Sequence, residues 1–124
     1  MMIGRFTHKV DGVGRVSLPS SFRASWPEEI ILYLNTEKGV IESCTEKRFQ
    51  EISNRVTAGS TDFLGKDFSG RDIIINSVKL RMSAEGRIKL PAKFISAIHA
   101  KDSVIFVGLN DRFQIHGEKT EIPK

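Results

Sequence analysis

Nine residues near the start of this 124-residue chain recur 72 positions later. Gly14-Arg15-Val16-Ser17-Leu18-Pro19-Ser20-Ser21-Phe22 lies over Gly86-Arg87-Ile88-Lys89-Leu90-Pro91-Ala92-Lys93-Phe94, with the Gly, Arg, Leu, Pro and Phe identical. Upstream, Phe6, His8 and Val10 lie over Val78, Leu80 and Met82. Downstream, residues 30–34 and 40–41 are matched by 104–107 and 113–115 after a further shift of a residue or two. Two copies of about fifty residues are too few for a solenoid, and one alone buries too little surface to stand by itself. The expectation is one domain over residues 1–124, pseudo-twofold and mainly β with short helices. Its repeats span about 3–43 and 73–116, joined by a helix and linker over 44–72.

Within one copy, alternation over residues 3–10 predicts a strand. Asp11-Gly12-Val13-Gly14 predicts a turn, since Asp-Gly tolerates positive φ and a second glycine permits a bulge. Residues 15–18 then read as the return strand. Pro19 suits the first helical position, and Leu18, Phe22 and Trp26 form one stripe of a short helix that Pro27 ends. A hairpin turns at 35–39. The second copy predicts a strand over 73–82, a turn at 83–86, a strand over 87–90, a short helix carrying Phe94, Ile95 and Ile98, and a hairpin turn at 108–112. Between the copies, Phe49, Ile52 and Val56 share a helical face over 45–58; Ser43 and Glu46 resemble a capping box, and Gly59 closes the helix. Residues 59–72 read as a linker, partly docked through Phe63, Leu64 and Phe68, and the polar residues 117–124 as a frayed end.

The longest apolar run, residues 30–34, is far short of the ~20 residues of a membrane span, and residues 1–5 lack the apolar stretch of a signal peptide. The expected location is the cytoplasm. A single cysteine, Cys44, excludes an intrachain disulfide framework and a thiolate zinc knuckle. His8, His99 and His116 show no ligand spacing, no carboxylates are paired by sequence, and Gly12 and Gly14 open no phosphate loop because no Gly-Lys-Ser/Thr follows. The expectation is a non-enzymatic protein without metal or cofactor.

Charge is where the chain departs from the ordinary. Residues 5–23 carry Arg5, Lys9, Arg15 and Arg23 against Asp11, a net +3; residues 79–93 carry Lys79, Arg81, Arg87, Lys89 and Lys93 against Glu85, a net +4. The whole chain is +4, so the remainder is −3. Positive charge concentrated in two related segments suits a polyanion. Arg15 and Arg87 each follow a glycine at a turn, where a guanidinium can reach a guanine edge in double-stranded DNA. Arg5, Lys9, Arg23, Lys89 and Lys93 can meet phosphates, which position a duplex without reading it. The competing reading is structural, with Arg15 paired to Asp11 across the turn; both hold if the carboxylate orients an arginine that also touches DNA.

The pattern Gly4-x-Phe6-x-His8-x-x-Asp11-x-x-Gly14-Arg15-x-x-Leu18-Pro19-x-x-Phe22-Arg23, followed by Gly86-Arg87-Ile88-x-Leu90-Pro91, resembles the bacterial MraZ family, of the AbrB/SpoVT-type swapped-hairpin β-barrel group. The resemblance covers about residues 2–116. It implies a pseudo-dimeric barrel of two AbrB-like repeats and a cytoplasmic, nucleoid-associated transcriptional regulator of the division and cell-wall gene cluster. It further implies rings of about eight or more subunits that bind repeated promoter boxes, and an Asp-x-x-x-Arg contact that falls on Asp11 and Arg15. The second copy departs from the pattern: Ser83 stands where Asp is expected and Glu85 adds negative charge, while Val13 replaces the usual cation before Gly14. AbrB-like barrels also serve as antitoxins or protein-interaction modules, an alternative that the short tail at 117–124 disfavours.

Overall fold

A computed structural model describes residues 1–26, 28–58 and 70–118. The strands are β1 (Met2–Lys9), β2 (Arg15–Ser17), β3 (Glu29–Asn35), β4 (Val40–Cys44), β5 (Ser77–Arg81), β6 (Arg87–Lys89), β7 (Ser103–Asn110) and β8 (Phe113–Gly117). The helices are α1 (Ser20–Arg23), α2 (Glu46–Thr57), α3 (Gly70–Ile75) and α4 (Ala92–Ala97). The protein is mainly antiparallel β with short helices, as expected.

The pairing is crossed between the two copies. β1 pairs with β7, and its counterpart β5 pairs with β3; β2 and β6 form a separate two-stranded ribbon. The six-stranded sheet runs β1-β7-β8-β4-β3-β5, with β4 against β8 at its centre. The ladders obey the sequence repeat. Thr7 opposes Ile105, and Lys79, at the same offset of 72, opposes Ile31. Val16 opposes its own counterpart Ile88, and Ile41 opposes Ile115. A pseudo-twofold axis therefore passes through both pairs. Each copy contributes edges the other must satisfy, so neither half closes its own hydrogen bonds.

The core lies between the sheet and the ribbon. Phe22, Phe94, Phe106 and Phe113 are fully buried, together with Met2, Leu18, Ile88 and Leu90. Phe22 stacks on Phe113 at 5.7 Å between centroids and meets Phe6 edge-on at 5.6 Å; Trp26 meets Phe113 edge-on at 5.3 Å. A smaller cluster, Ile31, Cys44, Ile52 and Ile73, with Phe49 and Val56 against it, seats α2 and α3 on the sheet.

Four details differ from the sequence expectations. The return strand β2 pairs with β6 rather than with β1. The Leu18–Phe22–Trp26 stripe is buried, but α1 is only four residues long, and Pro19 stands just ahead of it as its cap. Residues 73–75 are helical, because burying Ile73 against Ile31, Cys44 and Ile52 overrides the strand preference of three consecutive isoleucines. The cap of α2 is Thr45, whose hydroxyl accepts the Arg48 N–H at 3.1 Å; Ser43 is buried on β4 and accepts the Phe113 N–H at 2.9 Å. Pro27, Gly59 and the expected docking of Phe63, Leu64 and Phe68 lie outside the described residues, as does most of the C-terminal segment.

A polar network crosses the centre of the sheet. Buried Glu42 accepts from Asn35 Nδ2 at 2.9 Å, Gln114 Nε2 at 3.0 Å and the Tyr33 hydroxyl at 3.1 Å. Burial works to raise the Glu42 carboxyl, but these three donors more than offset it and hold it below its ordinary value of 4.5. Burial, aided by Arg5 and opposed by Glu42, holds the neighbouring His116 imidazole below 6.5. Both groups bind protons less readily in the folded chain than in the unfolded one. Their stabilisation is complete above 6.5, begins to fall below it through His116, and falls further below 4.5 through Glu42. Urea midpoints at about pH 7.5, 5.5 and 3.5 should therefore decrease in that order; a midpoint that rises on acidification contradicts this assignment.

Candidate nucleic-acid interface

The β2–β6 ribbon alternates. Val16 and Ile88 point into the core, which turns Arg15, Ser17, Arg87 and Lys89 outward. Arg15 lies opposite Lys89, and Ser17 opposite Arg87. The turns before the two strands lock the ribbon reciprocally: the Leu18 N–H donates to Gly86 O at 3.0 Å and the Leu90 N–H to Gly14 O at 2.9 Å. Gly14 (φ +92°) and Gly86 (φ +79°) both need the left-handed region, where a side chain is strained. A Cβ on Gly14 would also stand 2.9 Å from Leu90 O.

Asp11 organises the first turn. Its Oδ1 accepts the N–H of Val13 at 3.0 Å and of Arg15 at 2.8 Å, while Oδ2 accepts Arg15 Nε at 2.9 Å. These bonds, the Arg15 backbone N–H first among them, hold the carboxyl below its ordinary value. The pair is exposed, with side chains 54% and 39% accessible, so it contributes little to stability. Its larger effect is orientation. It engages Nε, and among the described residues the Nη atoms of Arg15 have no hydrogen-bond partner. The structural reading of this arginine therefore holds, since it is ion-paired to Asp11, and its side chain is still accessible.

The second turn repeats this with weaker chemistry. The Ser83 hydroxyl accepts the Arg87 N–H at 3.1 Å, as Asp11 does for Arg15, but Arg87 makes no ion pair among the described residues. Glu85 hydrogen-bonds to its own N–H and to Ser83 and feels Arg87; together these hold its carboxyl low.

Two grooves flank the ribbon. One, about 330 Å³, is lined by Lys9, Asp11, Arg15, Ser17 and Arg87. The other, about 360 Å³, is lined by Arg81, Ser83, Glu85, Arg87, Lys89 and Arg15. The pseudo-twofold axis exchanges them, and both arginines line both. Arg15, Arg87, Asp11, Lys9 and Lys89 are thus brought together. Arg5 is not: it sits on β1 four residues from Lys9, ~13 Å along the strand. Lys93 projects from α4, with its ammonium 6.0 Å from the Phe94 ring centroid, and lines neither groove. Arg23 is engaged elsewhere, with Nη1 donating to Glu85 O at 2.9 Å. Sequence reasoning missed Arg81, although the 72-residue offset equates it with Lys9; it lines the second groove while paired to Glu28 at 2.9 Å. Among the described residues no cluster of metal-ligating side chains occurs, and no helix is long and apolar enough to cross a membrane. Cys44 is a buried free thiol that burial pushes up.

The crossed strands and outward-facing basic ribbon define a pseudo-twofold, mainly antiparallel β protein that presents a two-stranded basic ribbon. No family profile matches the chain. Among curated proteins it is 31% identical over 119 residues to the transcriptional regulator MraZ of Pelagibacter ubique, covering 93% of this chain and 77% of that one. It is 32% identical to MraZ of Parvibaculum lavamentivorans, covering 90% and 73%, and 25% identical to MraZ of Mycoplasmoides gallisepticum, covering 93% and 80%. The chain belongs to the MraZ family.

Proposed function

We propose that this protein regulates transcription by binding duplex DNA through the β2–β6 ribbon. The observation that carries the reading is the pair of pseudo-symmetric grooves over which Arg15 and Arg87 both project. Arg15, held at Nε by Asp11, has its Nη edge free for a guanine, and Lys9, Arg81 and Lys89 lie where phosphates would run. The relatives are named as transcriptional regulators rather than enzymes. In this reading residues 1–124 act as one domain of two repeats. Copies assemble into a ring that presents many ribbons to repeated boxes in the promoter of the division and cell-wall gene cluster, in the nucleoid. Avidity over those boxes supplies affinity without new contacts.

A gel-shift titration against the DNA upstream of the protein's own gene, with a scrambled competitor, tests this. Binding should prefer the upstream DNA and weaken steeply with salt, log K falling by ~0.9 per log salt for each phosphate neutralised. Equal affinity for the scrambled duplex, or a flat salt response, would reject the reading.

A further inference from the structure

Arg23 belongs to α1, yet its guanidinium ends on the second turn. Nη1 donates to Glu85 O, and the head packs on Gly86, where a Cβ would stand 2.3 Å from Cδ and Nη1 and 2.8 Å from Cζ. Gly86 O in turn accepts the Leu18 N–H. One cation thus rests on the residue that leads directly into Arg87. The first turn is covered differently: Ile95, which the 72-residue offset equates with Arg23, has its Cδ1 3.4 Å from where a Gly14 Cβ would stand. That turn already has Asp11, with three bonds to Val13 and Arg15, whereas the second has the Ser83 hydroxyl on the Arg87 N–H.

We infer that Arg23 is a positioning residue that gives the second turn the rigidity Asp11 gives the first, fixing residues 85–86 so that Arg87 is presented to the DNA. The inference rests on the proposed DNA contact, and it moves Arg23 from the phosphate-contact set to a strap within the fold. A phosphate contact and a strap predict different couplings. An independent contact weakens binding by the same factor whether or not Arg87 is present. A strap that acts through Arg87 has little left to lose once Arg87 is gone.

The test uses Arg23→Met, which keeps the aliphatic stem and removes the donor. In the DNA-free protein, amide exchange at Gly86 and Arg87 should accelerate by about fivefold or more while Gly14 and Arg15 are unchanged. Affinity for the upstream duplex should fall by about threefold to tenfold, but by less than about twofold when Arg23→Met is added to Arg87→Ala. Unchanged exchange at Gly86, or the same loss of affinity in both backgrounds, overturns the inference. Should Arg23→Met unfold the protein, Arg23→Lys makes the comparison, since it keeps the charge that a phosphate contact needs but shortens the reach to Glu85 O and lacks the Nη1 donor. If wild type binds the upstream duplex no better than the scrambled one, the DNA reading itself fails and Arg87's presentation with it; the exchange measurement still separates that failure from the absence of a strap.

Discussion

Arg15→Ala should remove most of the preference for the upstream duplex while leaving fold and assembly intact. The side chain is exposed, and its ion pair contributes little to stability, so the melting temperature should stay close to that of wild type. The cost falls on DNA. A good bidentate arginine contact is worth about 1–3 kcal/mol of discrimination, or roughly fivefold to 150-fold per site, and an array of ribbons multiplies the loss. Arg87→Ala should lose less, because Arg87 lacks the carboxylate that pre-orients Arg15. Competition gel shifts at fixed salt, alongside thermal melts, check both variants. An Arg15→Ala protein that binds as tightly and as selectively as wild type would remove the residue from the interface.

Phe22→Ala should be the most damaging core substitution. Phe22 is fully buried and touches the rings of Phe6, Phe106 and Phe113. Truncating such a residue costs ~3–5 kcal/mol, a large part of the ~5–15 kcal/mol that holds a domain together. Phe22 also immediately precedes Arg23 in α1, so its loss should loosen the strap on the second turn as well. Urea unfolding measures the effect; a loss below about 1 kcal/mol would mean that the site collapses without a cavity.

The repeat made the pseudo-twofold, mainly β architecture legible, because Gly-Arg-x-x-Leu-Pro places a positive-φ glycine, an outward cation and a buried leucine in fixed order at both turns. It did not show whether β2 turns back on β1 or crosses to β6. Alternation assigns faces and says nothing about the partner strand. Ser43 and Thr45 are both capping types, Ser the better of the two, and only the end of β4 at Cys44 hands the role to Thr45. At the site, Arg15 and Asp11 were readable from their spacing across the turn. Arg23 was not, since its partner is a backbone carbonyl 62 residues away that no residue type announces. Arg81 was readable in principle by carrying the offset one strand upstream.

Hydrogen–deuterium exchange with and without the upstream duplex tests the interface most directly. The ribbon account predicts protection confined to peptides covering residues 9–17 and 81–89, weakened by Arg15→Ala. Protection on α2 or on the outer face of the six-stranded sheet, with the ribbon peptides unchanged, would contradict it.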